Sequence, residues 1–388
     1  MSAAPIPSFA YTAPTIVWYA PDGLGRLGSY LKRLGMARAL LVCDERLSQS
    51  AAKQVEDASG GRVAAVWSGV QADAPRGSVQ AGADRAQEVG ADGVIALGGG
   101  SSIDSGKAIA LLAKHGGDVA RWDGANKVGA PGLPVVAIPT TAGTGSEASN
   151  VAVLKDAQAS RKLVIIDRVV YPAVAILDPR LTVDLPPVLT AATGVDCLTH
   201  VLEGVVSTYR HPICDAIGLE CVRIVRQWLP RAVAEPSNLE ARGWMLLAAS
   251  MAGQLVSTTY VGVCHAVAHA MGVGWGVHHG TANGIALPWT LRFNTKHPGS
   301  AAMYARCARE FEVDTSGEPE VVALRFADEV ERFIGELGLP TTLTGAGLGA
   351  AAVPRLAALA FADSAHGPNP VKIASARDLE VALASLIG

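Results

Sequence analysis

The sequence predicts an α/β fold in two parts, a doubly wound parallel sheet over residues 1–186 followed by an all-helical part over 187–388. Three observations carry this. Short β-rich apolar runs alternate with amphipathic helical stretches through the first half, the pattern of βαβ units. Strand signals then stop near Pro186, and every later segment has helical period. Finally, 388 residues exceed what one hydrophobic core usually organises.

The strand signals are, in order, TIVWYA (15–20), ALLVCDE (39–45), RVAAVWS (62–68), DGVIALGGG (92–100) and PVVAIPTT (134–141). Helical patterns at 27–35, 78–90 and 102–116 separate them. Two further runs, KLVIIDR (162–168) and AVAILDP (173–179), either extend the sheet or form a hairpin beside it. The second part reads as helices over 187–208, 215–234 and 240–256, punctuated by Pro and Gly. In such a layout a ligand cleft is expected at the carboxyl ends of the strands, against the second part.

Composition narrows the class. Hydrophobic residues make up 49% and charged residues 17%, with 42 glycines, which suits a large α/β enzyme and argues against disorder. The net charge of −3 has no basic run, so neither nucleic acid nor an anionic membrane is an expected partner. The N-terminal MSAAPIPSFAYTAP lacks a basic segment followed by an apolar one, and a cytoplasmic protein is expected. The cysteines at 43, 197, 214, 221, 264 and 307 show no CxxC pairing and read as reduced core thiols.

Two loops carry binding chemistry. The strand ending at Leu97 runs through Gly98, Gly99, Gly100 and Ser101 into a helix bearing Asp104 and Lys107. Glycines at a helix N-terminus offer free N–H groups and the positive end of the dipole to a phosphate. A plain capped βα connection explains a lone turn of this kind as well, and the spacing is not G-x-G-x-x-G. The second loop, PTTAGTGSE (139–147), gathers hydroxyls at Thr140, Thr141, Thr144 and Ser146 after the neighbouring strand. Two such loops together favour a dinucleotide. Asp44, at a strand end, suits a ribose diol and repels a 2′-phosphate, favouring NAD over NADP, although it also serves as an N-cap.

Asp196 and His200 stand at i, i+4 in a helical pattern, so both side chains leave one face about a turn apart. His265, His269, His278 and His279 follow in CHAVAHAMGVGWGVHHG. Spacing nominates His265 with His269 as a second i, i+4 pair and leaves His278 and His279 open. Mixed imidazole and carboxylate ligation suits Fe(II) or Zn(II).

Taken together, GGGSSIDSGKA, PTTAGTGSEAS, KLVIIDR, LDPRLT, LPPVLTAATGVDCLTHVLEG and CHAVAHAMGVGWGVHHGTANGIALP resemble the iron-containing (group III) alcohol dehydrogenase family, over nearly the whole chain. That family includes lactaldehyde reductases and 1,3-propanediol dehydrogenases. The resemblance implies a Rossmann-like domain and a dehydroquinate synthase-like helical domain. It implies Asp196, His200, His265 and His279 as ligands of Fe(II), with Zn(II) as the alternative, and His269 beside them as a proton-relay residue. It further implies an NAD site lined by Gly99, Gly100, Ser101, Asp104, Thr140, Thr141, Thr144, Lys162 and Leu181, with Asp44 at the adenosine ribose, and a homodimer.

The expected reaction is hydride transfer between a primary alcohol or its aldehyde and the nicotinamide, with the metal as Lewis acid. Two alternatives stand beside it. A hydroxyacid dehydrogenase acting on a 4-hydroxybutyrate-like substrate needs a free cation such as Arg161 or Lys162 for the carboxylate. A dehydroquinate synthase-like lyase needs several basic residues near these motifs, and they are not there. His278 and Ala270 replace prolines common in the family, which alters the pocket wall along with Trp275, Asn150 and His366; the physiological alcohol is therefore not transferable from the resemblance.

Overall fold

The computed structural model describes residues 8–156 and 161–388; residues 1–7 of the N-terminal segment lie outside the described residues. The strands are β1 (Ile16–Tyr19), β2 (Ala39–Asp44), β3 (Val63–Val70), β4 (Gly93–Gly98), β5 (Gly124–Ala125), β6 (Val135–Pro139), β7 (Val151–Asp156), β8 (Arg161–Ile166) and β9 (Val174–Leu177). Interleaved with them are α1 (Leu27–Arg33), α2 (Ala51–Ala58), α3 (Arg76–Glu88) and α4 (Gly100–His115). The remaining helices are α5 (Pro187–Gly204), α6 (Pro212–Ala234), α7 (Leu239–Thr259), α8 (Val263–Trp275), α9 (His279–Thr295), α10 (Pro298–Glu310), α11 (Pro319–Glu336), α12 (Val353–Ala362) and α13 (Ala376–Leu383).

The chain packs as two compact units. One comprises Ala13–Leu185 and Ser237–Gly253; the other comprises Pro186–Pro236, Gln254–Gly388 and the described N-terminal residues 8–12. Helix α7 thus begins in the first and ends in the second.

The first unit is built on a six-stranded sheet in the order β1-β9-β6-β4-β2-β3, parallel throughout. Its central strands are apolar at every position because both faces are covered. Alternate side chains serve opposite faces: Leu40, Val42, Val94 and Ala96 pack with Val79 and Ile109 of α3 and α4, whereas Leu41, Ile95, Leu97 and Val136 pack with Leu27, Leu31 and Val55 of α1 and α2. The two late strand signals take different paths. AVAILDP supplies β9, fully buried and inserted between β1 and β6. KLVIIDR supplies β8, antiparallel to β7 in a separate three-stranded sheet. β7 itself was not foreseen, since VAVLKD lies directly behind the hydroxyl-rich loop; its alternation of half-exposed and buried residues marks it as a half-buried strand.

In the helical unit α5 packs on α6 and α9, α8 on α9 and α12, and α10 on α11. Proline at the first turn starts α5, α6, α10 and α11, where its fixed φ and missing N–H are harmless. The six cysteines are free and buried. Among the described residues no single helix is long and apolar enough to cross a membrane.

Candidate metal centre and cofactor loops

In the helical unit, side chains from three helices converge. Asp196 and His200 lie in the middle of α5, His265 near the start of α8, and His279 is the first residue of α9. Ligand-capable atoms of Asp196, His265 and His279 all fall within 4.8 Å of one another. Oδ1 of Asp196 is the hub, 3.4 Å from His279 Nε2, 3.6 Å from His265 Nε2 and 3.9 Å from His200 Nδ1. The His200 ring stacks on His265 with centroids 4.6 Å apart. Close approach of α9 to α5 depends on Gly280, where a Cβ would collide with the Ala192 carbonyl.

The donor set fits a divalent metal on grounds internal to the site. His200 Nδ1 and His265 Nε2 are buried polar atoms without a hydrogen-bond partner, a costly arrangement unless a ligand satisfies them. Burial pushes the His200 imidazole down to about 4, so it is held neutral, the form that ligates. Burial alone would raise the Asp196 carboxyl, but the neighbouring His200, His279 and His265 imidazoles bring it well below the usual range. Burial opposes charge on His265, yet its contacts with the buried carboxylates of Asp196 and Glu203 raise it to about 9.

Around these groups stands a supporting layer that spacing did not single out. Nδ1 of His265 is 2.6 Å from Glu203 Oε2, and the Cys264 N–H donates to Oε1 at 2.6 Å. Nδ2 of Asn283 donates to Asp196 Oδ1 at 2.7 Å. A signal for both existed: Glu203 follows Asp196 at i, i+7 and His200 at i, i+3 on α5, and Asn283 follows His279 at i, i+4 on α9. The structure separates the other histidines. His269, one turn beyond His265, stacks on His279 at 5.4 Å and pairs with Asp363. His278 is exposed at the start of α9, and His366 stacks on Phe361.

The two loops of the first unit lie side by side. β4 and β6 are adjacent, the Thr140 N–H donates to Gly98 O at 3.0 Å, and a Cβ on Gly99 or Gly100 would press on Thr141 or Thr144. Gly98 has φ 138° and Gly145 φ 63°, conformations that glycine adopts without strain. Gly145 also abuts Gly253 of α7, and a Cβ on Gly253 would run into the Gly145 carbonyl.

Beneath the loops is a buried polar knot. Asp104 accepts from the Ser146 hydroxyl and, through Oδ2, from the Val153 N–H at 3.0 Å. The Lys107 ammonium, fully enclosed, donates to Ser146 Oγ at 2.9 Å, Ser149 O at 3.1 Å and Val151 O at 2.6 Å. Burial lowers Lys107 to about 8 and raises its buried neighbour Glu147 to about 7. Asp104 and Lys107 therefore tie the first loop to the second.

Of the remaining positions, Asp44 ends β2 and Ser101 and Leu181 follow β4 and β9, whereas Lys162 lies at the start of β8 in the smaller sheet. Asp44 Oδ1 accepts from the Arg46 and Leu47 N–H groups, so the carboxylate does cap a short turn. Ser101 Oγ accepts from the Asp73 N–H at 3.1 Å, and Lys162 is 2.7 Å from Asp73, a residue with φ 62° that no motif announced. Leu181 packs against the core behind β9. Arg161 is held by Asp123 at 2.6 Å.

Comparison with known proteins agrees along the chain. Residues 14–179 match the family model described as iron-containing alcohol dehydrogenase, and residues 190–384 match its C-terminal counterpart. The NAD-dependent methanol dehydrogenase of Bacillus methanolicus is 34% identical over 359 residues, covering 91% of this chain and 93% of that enzyme. The 1,3-propanediol dehydrogenase of Citrobacter freundii is 32% identical, covering 94% of this chain and 95% of its own. A crystal structure of a 1,3-propanediol oxidoreductase superposes with a TM-score of 0.94 at 30% identity, over 98% of this chain and 100% of that one.

Proposed function

The chain belongs to the iron-containing alcohol dehydrogenase family, an oxidoreductase family that interconverts alcohols and aldehydes with NAD, and from that premise we propose that Asp196, His200, His265 and His279 hold its metal. Fe(II) is the ion we assign, with Zn(II) as the alternative the same donor types accept. When bound, the ion supplies Lewis-acid polarisation of the substrate oxygen. The single observation that carries the reading is the convergence of the Asp196, His265 and His279 donor atoms within 4.8 Å, with the unsatisfied nitrogen of His200 beside them.

The chain's own residues do the rest. Glu203 and Asn283 fix the orientation of His265 and Asp196, so the donors are aligned before any ligand arrives. Gly99, Gly100, Ser101, Thr140, Thr141 and Thr144 present backbone and hydroxyl groups to the NAD phosphates, with Asp104 holding the two loops together. Lys162 and Leu181 complete the lining, and Asp44 meets the adenosine ribose through the oxygen not engaged as a cap. His269 accepts the alcohol proton, or returns it during aldehyde reduction. The substrate class we assign is a primary alcohol and its aldehyde. Arg161 and Lys162 are each paired with an aspartate, so neither favours a carboxylate-bearing substrate. A cytoplasmic homodimer is part of the same reading.

Steady-state turnover with NADH over a panel of short aldehydes and hydroxyacid precursors, before and after chelation and after restoring Fe(II) or Zn(II), tests it. Metal-restored reduction of neutral aldehydes is expected; turnover that survives complete chelation overturns the assignment.

A further inference from the structure

Helix α8 begins at Val263, two residues before His265, and the residue preceding it is Gly262, which has no side chain to cap the first N–H groups. Caps arrive instead from other parts of the chain. Oδ1 of Asn369 accepts from the Val263 N–H at 3.4 Å, and Oε1 of Glu203 accepts from the Cys264 N–H at 2.6 Å. A Cβ on Gly262 would stand 2.7 Å from that Glu203 oxygen and 3.0 Å from that of Asn369, so glycine lets both side chains reach the helix end.

Asn369 lies 106 positions from Val263 and is only 2% exposed. Its amide is fully engaged. Oδ1 also accepts from Nδ2 of Asn294 at 3.1 Å, while its own Nδ2 donates to Asn294 Oδ1 and to the Val371 carbonyl, both at 2.8 Å. Two donors and two accepting directions are therefore used, a set that among side chains of this length only asparagine supplies. Asn294 is fully buried in α9, the helix that His279 opens. The adjoining Pro368 carbonyl accepts from the N–H of Thr208, just beyond α5, at 2.9 Å. One short segment after the Ser364–His366 turn thus ties together α8, α9 and the residues that follow α5, the three helices carrying the four proposed donors.

We propose that Asn369 is a positioning residue for the metal centre, holding the first turn of α8 so that His265 faces Asp196. This rests on reading Asp196, His200, His265 and His279 as the ligands. Glu203 fixes the His265 ring through Nδ1, whereas Asn369 fixes the backbone that carries the ring. Nε2 of His265 lies 3.6 Å from Asp196 Oδ1, a separation that a small rotation of the turn would change. Without the amide, the Val263 N–H and the Asn294 side chain are left buried and lacking these partners, a cost the turn relieves only by shifting.

Co(II), whose visible absorption follows its donor geometry, is the probe, added to the metal-free protein without nicotinamide. In Asn369→Ala its affinity, measured by competition with a chelator, is expected to weaken about 10- to 100-fold. The absorption bands of the bound ion should shift, with helical circular dichroism retained. Leu379→Ala removes a buried apolar side chain of α13 and breaks none of these hydrogen bonds, so it should lower the melting temperature while sparing Co(II) affinity and spectrum. Hydrogen exchange in the wild type needs no variant to fold: the Val263 amide should be protected, and exchange at the rate of an open chain overturns the cap. Wild-type affinity and spectrum in Asn369→Ala overturn the positioning role, as does an equal loss of affinity in Leu379→Ala. Failure of the wild type to take up one Co(II), or full retention by His265→Ala, overturns the ligand reading beneath it instead.

Discussion

Oε2 of Glu203 lies 2.6 Å from Nδ1 of His265, so a buried carboxylate decides which imidazole nitrogen is left to face Asp196. Replacing Glu203 with Gln keeps the shape but removes the charge. Metal affinity, measured by competition with a chelator, is expected to weaken about 10- to 100-fold, while helical circular dichroism is unchanged. Undiminished affinity would reduce Glu203 to a packing residue.

The separation of His265 from His269 is tested by metal content after gel filtration. His265→Ala should lose the ion, because it removes a donor at the centre. His269→Ala should retain it and turn over slowly. Equal loss from both would restore the i, i+4 ligand pair that spacing alone suggests.

Glu147 links the knot under the loops to pH. Burial raises its pKa from 4.5 to about 7. Its favourable contribution is therefore complete below the unfolded value and is lost as pH rises through the folded one, because ionising it in place is costly. Glu147→Gln mimics the protonated form. Urea unfolding should show the variant more stable than wild type at pH 8, by up to about 3 kcal/mol, with the difference vanishing near pH 4.5. A constant difference across that window would mean that Glu147 does not titrate there.

Gly253→Ala places a methyl group against the Gly145 carbonyl and should push the hydroxyl-rich loop outward. We expect the Kd for NADH, read by protein fluorescence, to rise roughly tenfold with metal content intact. Wild-type affinity would show that the loop yields without consequence.

Asp44→Asn preserves the cap on the Arg46 and Leu47 N–H groups while removing the charge that repels a 2′-phosphate. The ratio of kcat/KM for NADH over NADPH should fall at least several-fold, on the scale of one screened charge interaction. An unchanged ratio would leave Asp44 with the cap alone.

Much of this molecule was legible in sequence because its parts obey local rules. The fully apolar β4 and β6 could only be interior strands, and the glycines after β4 could only be a tight turn into α4. Asp196 and His200 announced a shared face by spacing. What spacing could not rank was His269 against His279: helix α8 makes His265 and His269 neighbours, but the approach of α9 across Gly280 brings His279 to Asp196 instead. Asp363 and Asp73 were invisible for a similar reason, since their partners His269 and Lys162 lie 94 and 89 positions away. Strand β7 is not legible in the sequence because its run follows the hydroxyl-rich loop without a turn signal of its own.

The pairing of His269 with Asp363 also imposes a timetable on biosynthesis. Asp196, His200 and Glu203 emerge from the ribosome together on α5, whereas His265 and His279 follow only after α6 and α7 have been made. All four proposed donors are therefore translated before the segment bearing Asp363. The pairing that orients His269 waits on a segment made after all four of the proposed donors.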